Sequence, residues 1–375
     1  MNDEYTEREQ SGFKHFALRK YLETAVRIIG SWSDFSYVDC CAGPWESRSP
    51  CYDDTSFGIA VKALGESREW LRGQERNPQF RALLIEKERE PYKELAKFAV
   101  SAGDASLQVE SRNWDFIKHT SEIVQFVARP PSFAFIFVDP KGWTPAKISG
   151  LEPLLRINPG EVLINFMSSF IVRFLNDEAT DMCGILGSDY RDIRALNSSE
   201  EQEDEAVRRY CELIRKQGSF PYVCALPVMK KDQDAIHFYL IYGTRNAKGV
   251  AVFKNVEKKT EEETRLVRSL RQQNKRATLD LFAPDVLYKR EERYRRLAVR
   301  CRRDAVQALD RLLSDRKSVP YDDCWAEALQ FPTVYESDLR DWLKGMEEGG
   351  SIRVDGRTRP HEFLKRGYNQ IIVKL

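Results

Sequence analysis

Hydrophobic and polar positions follow two different periods along the first two thirds of the chain. From Lys14 to Trp32, the apolar residues Phe16, Tyr21, Leu22, Ala25, Val26 and Ile29 recur largely at three- and four-residue steps, which predicts an amphipathic helix. "FSYVDCCAGP" (35–44) then switches to a short apolar strand ending at Asp39, followed by a Gly-Pro turn. "SFGIAVKAL" (56–64) is helical in pattern. "RALLIEKE" (81–88) predicts a second strand ending at Glu86, with a helix running on to Val100. "LQVESRNWD" (107–115) predicts a third strand and loop, 116–127 a helix, "SFAFIFVDP" (132–140) a fourth strand and "EVLINFM" (161–167) a fifth.

Strands that alternate with helices and are apolar on both faces belong to a mostly parallel sheet covered by helices on either side. Residues 168–220 are largely helical in pattern, and "SSEEQEDEAVRRY" supplies a solvated face. "PYVCALPVM" (221–229) and "HFYLIYGT" (237–244) predict an antiparallel pair at one edge of the sheet. Charged helices follow over 254–276 and 286–313. The last stretch changes character: "YDDCWAEAL", then "VYESDLRDWLKGMEEGG", then a strand-turn-strand ending in "QIIVKL". Small helices followed by a hairpin form the winged-helix pattern, with a packing or dimerisation module as the plainer reading.

At 375 residues, 42% hydrophobic and 31% charged, the chain has material for one large α/β domain and a smaller α+β one. Apolar runs of about six residues are far short of a membrane span. The polar, acidic start "MNDEYTEREQ" is unlike a signal peptide, so a cytoplasmic protein without membrane contact is expected. The eight cysteines form no CxxC pair and the four histidines complete no zinc spacing, so reduced thiols are expected and no metal site.

The net charge of +1 conceals a local imbalance. Lys289, Arg290, Arg293, Arg295, Arg296, Arg300, Arg302 and Arg303 face only Glu291 and Glu292 within the same stretch. Such a cluster either tracks the phosphates of a nucleic acid or forms a solvated helix face. From Asp304 to the end, thirteen acids outnumber eleven bases, so the terminal module lacks the basic stripe of a typical DNA reader.

Ligands of an open parallel sheet bind beyond the carboxyl ends of its strands. Asp39 ends the first strand, and Ala42, Gly43 and Pro44 form a turn that brings backbone close to a ligand. Glu86 ends the second strand, where an acid can hold ribose hydroxyls. Asn113, Trp114 and Asp115 follow the third, where polar groups could meet an adenine edge. Asp139, Pro140, Lys141 and Trp143 close the fourth in "FVDPKGW". In that order, the series matches a Rossmann-like S-adenosylmethionine methyltransferase.

Four segments, "KHFALRKYL" (14–22), "FSYVDCCAGP" (35–44), "LLIEKE" (83–88) and "FVDPKGW" (137–143), resemble the three-Cys-motif partner family over roughly residues 10–285. The resemblance implies a methyltransferase-like protein encoded beside, and able to associate with, a protein bearing a three-cysteine motif. It also implies S-adenosylmethionine as cofactor, with Lys14 and His15 over the cofactor or a nucleic-acid backbone. Trp45 stands where the family shows a second glycine, and Lys141 where it shows an aromatic. "DPKGW" is similar as well to the Asp/Asn-Pro-Pro-aromatic tetrad of base-amine methyltransferases and to the Asp-Pro-Phe-Gly of guanine-N2 tRNA methyltransferases. On that likeness Asp139 orients an exocyclic amine, Pro140 stiffens the turn and Trp143 stacks on the base.

These readings predict a methyltransferase domain over 1–285, a basic helical connector over 286–313 and a winged-helix-like domain over 314–375. The expected function is N-methylation of a nucleobase amine in DNA or RNA. The alternative is a non-catalytic scaffold that keeps the methyltransferase fold as partner of the three-cysteine protein.

Overall fold

The computed structural model describes residues 9–43, 47–104, 107–140, 147–177, 181–230, 233–276, 291–359 and 363–375. In chain order the first part comprises α1 (Glu9–Gly30), β1 (Phe35–Asp39), α2 (Ser56–Arg72), β2 (Phe80–Ile85), α3 (Arg89–Ala102) and β3 (Leu107–Arg112). A 3-10 turn over Phe116–His119 leads into α4 (Thr120–Ala128), then β4 (Phe133–Val138), α5 (Ile148–Leu155), β5 (Gly160–Phe166), α6 (Ser168–Phe174) and α7 (Cys183–Leu186). After a second 3-10 turn (Tyr190–Ala195) come α8 (Ser199–Gly218), β6 (Tyr222–Met229), β7 (Ile236–Thr244) and α9 (Ala247–Arg276).

The seven strands form one sheet in the order β3-β2-β1-β4-β5-β7-β6. β1 through β5 are parallel, and β7 runs antiparallel to both of its neighbours. This is an α/β, Rossmann-like sheet with helices on both faces. The antiparallel strand lies one place in from the edge, because β6 returns to the common direction and takes the outer position.

The period of two along β4 shows how the sheet is covered. Phe133, Phe135 and Phe137 enter a core with Tyr21, Leu22 and Phe57 of α1 and α2 and Phe253 of α9. Ala134, Ile136 and Val138 enter a second core with Ile123 of α4, Leu151 of α5 and Tyr210 of α8. All six residues are buried, as a central strand requires. The pattern around α5 was not readable as a helix: it is eight residues long and contains Pro153.

The C-terminal part comprises α10 (Glu292–Arg316), β8 (Ser318–Pro320), α11 (Tyr321–Ala328), α12 (Glu336–Glu348), β9 (Ile352–Asp355) and β10 (Ile371–Lys374). Its three strands pair antiparallel in the order β8-β10-β9. Within the stretch expected to be a connector, α10 packs along its length. Tyr294, Leu297, Cys301 and Ala305 of α10 join the core under α8, while Leu309 and Leu313, with Val319, Tyr321, Leu343 and Ile372, belong to the core that also holds Phe135 and Phe253. Polar ties continue this junction: Lys254 Nζ donates to Phe331 O (3.1 Å), and Thr333 N donates to Glu257 Oε1 (2.7 Å). No helix among the described residues is long and apolar enough to cross a membrane.

Candidate active site at the carboxyl edge of the sheet

After β3 the chain crosses to the other side of β1, so strand order reverses between β1 and β4. A crevice at such a reversal is where open α/β sheets bind ligands. Both acids predicted for these strands lie there. Asp39 ends β1 and is fully buried. Its Oδ1 accepts a hydrogen bond from Cys41 N (3.1 Å), its Oδ2 one from the Tyr37 hydroxyl (3.1 Å), and Ser56 at the start of α2 supplies another. Burial pushes its carboxyl up from 3.8 to about 6; the donors pull the other way, and the Asp139 charge adds to the rise.

The turn after β1 is set by backbone pairing that outlasts the strand. Cys40 N donates to Phe137 O (2.9 Å) and Ala42 N to Ile85 O (2.7 Å), which leaves Gly43 half-buried at the edge. Pro44 lies outside the described residues, as does Trp45. The helix that follows starts from Thr55, whose hydroxyl accepts from Gly58 N (3.1 Å). Gly58 is required there: a Cβ would sit 2.1 Å from the carbonyl oxygen of Tyr52. Burial also lifts the Cys40 and Cys41 thiols above their usual range, with Asp39 contributing to both.

Glu86 follows β2, is buried, and its Oε1 accepts from Glu88 N (2.7 Å). Asn113 uses its amide hydrogens within the protein, donating to Glu86 O (2.8 Å) and Lys87 O (2.9 Å). It therefore braces the β2 and β3 loops against each other. Asp115 pairs with Lys87 (3.3 Å). Trp114 stacks on His119 with ring centroids 4.6 Å apart, and the Arg112 guanidinium lies 5.7 Å from the Trp114 ring. The third loop is thus a self-braced group whose polar atoms are largely used internally.

The closest convergence is at the end of β4. Asp139 forms an ion pair through Oδ2 with Lys14 of α1, and its Oδ1 accepts from Asn165 Nδ2 at 2.7 Å. The register explains the second contact: Val138 pairs with Ile164, so the next residues, Asp139 and Asn165, emerge side by side. His15 is buried beside Lys14 in the chain. His237, on β7, has its proton affinity lowered by burial and then by the charges of Lys230 and Lys14, which places it near the same edge. Pro140 directly follows Asp139 and is buried. Lys141 and Trp143 lie outside the described residues.

Sequence reasoning missed Asn165, Ser56 and His237. The available signal for Asn165 was a polar residue near the carboxyl end of the apolar run "EVLINFM".

The basic cluster lies elsewhere, on α10 facing α8. Arg293 is buried and pairs with Glu203 (2.9 Å) and Asp204 (2.6 Å). Arg300 also reaches Asp204, and Arg296 pairs with Glu200 (2.7 Å). Arg295, Arg302 and Arg303 are exposed and have Glu292 (3.2 Å), Asp338 (3.3 Å) and Asp304 (3.0 Å) as neighbours. The imbalance counted along the sequence is offset in space by acids of α8. Enclosure takes Arg293 out of reach of any phosphate. Lys289 and Arg290 lie outside the described residues.

No protein-family model matches this chain, and no curated protein does. Among solved structures it is similar to a loganic acid methyltransferase with SAH, at 11% identity and a TM-score of 0.30, over 73% of this chain and 92% of that one.

Proposed function

We propose that this protein is an S-adenosylmethionine-dependent methyltransferase acting on an exocyclic amine of a nucleobase in DNA or RNA. The observation that carries the reading is the pair of carboxylates, Asp39 and Asp139, flanking the reversal in strand order. Asp39 is buried among neutral donors, so a cationic ligand beside it would find a complementary charge at low dielectric. S-adenosylmethionine carries an ammonium and a sulfonium, and when bound it supplies an electrophilic methyl group. Asp39, Glu86 and the backbone at Ala42 and Gly43 would hold it. Asp139 would accept an N–H from the target amine and keep the nitrogen lone pair aimed at the methyl group, an effect greatest in the transition state.

Calorimetric titration tests the cofactor part. S-adenosylmethionine should bind, and Asp39→Ala and Glu86→Ala should weaken it. At pH 6, where Asp39 is about half protonated, binding should release protons, so the apparent enthalpy should depend on the ionisation enthalpy of the buffer. Failure of the intact protein to bind would end the enzyme reading. The catalytic part predicts that Asp139→Ala abolishes transfer while leaving cofactor affinity nearly intact, whereas Asp139→Asn keeps some activity.

A second reading is a scaffold that retains the fold as partner of a three-cysteine-motif protein. The engagement of Asp139 with Lys14 and Asn165 favours it, because a carboxylate satisfied from within the chain needs no ligand. Co-purification with such a protein, together with absent cofactor binding, would support it.

A further inference from the structure

Asn165 is 5% exposed, and its two amide ends are in different situations. Nδ2 donates to Asp139, while Oδ1 is buried with no donor in hydrogen-bond reach among the described residues. The orientation of the amide follows from chemistry, since turning it over would set its oxygen against Asp139 Oδ1, an acceptor facing an acceptor. Buried acceptors in folded proteins are nearly always filled, so an unfilled one at a ligand-binding edge points to something that fills it on binding.

The neighbouring acceptor, Asp139 Oδ2, is occupied by the Lys14 ammonium, a nitrogen donor delivered by the chain itself. Lys14 and Asp139 have side chains only 13% and 15% exposed. We infer that Asn165 and Asp139 form a two-acceptor cradle for a primary amino group, and that Lys14 fills part of it until the amine arrives. This rests on the function proposed above and deepens it. It makes Asn165 a residue that selects for a substrate –NH2, and Lys14 a latch that entry of the amine must displace. An amino group has two hydrogens to give, one for each acceptor. An oxo group in its place presents lone pairs to lone pairs and is rejected.

Trace acetylation of the full chain with acetic anhydride, read at Lys14 by mass spectrometry, tests this without depending on methyl transfer. Measurements are made with S-adenosylhomocysteine present, adding the amino nucleosides cytidine, adenosine or guanosine, or their oxo counterparts uridine and inosine. At least one amino nucleoside should raise Lys14 labelling several-fold, and neither oxo nucleoside should. Asn165→Leu should lose the response while its melting temperature stays within a few degrees of the parent. If Asn165→Leu does not fold, Asn165→Asp is used: its added carboxylate should hold Lys14 more firmly and lower basal labelling. Equal labelling with amino and oxo nucleosides, or no rise with any, overturns the cradle. An unchanged response in Asn165→Leu, or unchanged basal labelling in Asn165→Asp, removes Asn165 from it. Cofactor titration separates the two readings: a selective amine response without S-adenosylmethionine binding keeps the cradle and ends the methyltransferase reading, and binding without the response does the reverse.

Discussion

The carboxyl edge of the sheet and the contact between α8 and α10 both bury charge, and they treat it in opposite ways. Across α8 and α10, cations and acids meet in ion pairs, with Arg293 between Glu203 and Asp204 and Arg300 beside Asp204, although Arg293 Nη1 and Arg300 Nε are buried with no acceptor in reach among the described residues. Burial alone would lower the proton affinity of Arg293; Tyr239, Asp204 and Glu203 raise it overall. At the sheet edge, Asp39 is bonded by neutral donors and carries a raised carboxyl, and Asn165 has an acceptor without a donor. Matched buried charge joins two elements. A buried carboxylate held by neutral donors, as Asp39 is, is a cost that a cationic ligand can remove, and this distinguishes the candidate site from the ion-paired cluster.

The sharpest way to break this comparison is to remove Arg293. Arg293→Ala leaves Glu203 enclosed without its cation and Asp204 with Arg300 alone, and should cost about 3–5 kcal/mol of stability in denaturant unfolding. A loss below about 1 kcal/mol would mean that the α8–α10 pairing is not structural.

Asp39 should give a smaller, pH-dependent effect of opposite sense. Its folded carboxyl, at about 6, lies above the 3.8 of an ordinary one, so the native state holds the proton more tightly than the unfolded chain. Its contribution to stability is therefore greatest below pH 4, falls as pH rises through 4–6, and is a full cost of about 3 kcal/mol above that window. Asp39→Asn removes the titration. The stability of that variant relative to the parent should rise by about 2–3 kcal/mol between pH 4 and pH 7, measured by urea unfolding at each pH. A flat difference would show that Asp39 titrates normally.

Arg296 and Glu200 form a partly exposed pair in the otherwise matched region, with 47% and 30% of their side chains accessible. A double-mutant cycle to Gln at both positions should return only about 0.2–1 kcal/mol of coupling. The smallest expected change is that of Arg303, which is 63% exposed and beside its sequence neighbour Asp304. Arg303→Gln should leave stability within about 0.5 kcal/mol of the parent. If Arg303 contacts phosphate, the slope of log affinity against log salt should fall by up to about 0.9. An unchanged slope would assign this end of α10 to solvent.

Local pattern was sufficient for most of the sheet. Asp39, Glu86 and Asp139 could be placed at strand ends because burial on both faces makes "FSYVD", "RALLI" and "FAFIFV" continuous apolar runs whose first acid marks the edge. Two short elements were not legible: β8 has three residues, and α5 is a single eight-residue helix that contains a proline. Too few periods are present there to distinguish one repeat from another.

By itself, then, the sequence determined which residues lie in the sheet, the order of acids along its edge and the basic excess before Asp304, all of which depend on neighbours in the chain. Only the tertiary structure decided what those charges meet. Asn165 lies beside Asp139 because β4 and β5 run parallel in one register, and Lys14 reaches it across 125 positions of sequence. Arg293 is joined to Glu203 across 90 positions, which turned a run of bases into the matched side of a helix contact. Partners so distant are chosen by how helices and strands pack, and that information is spread over the whole core rather than written around any one of these residues.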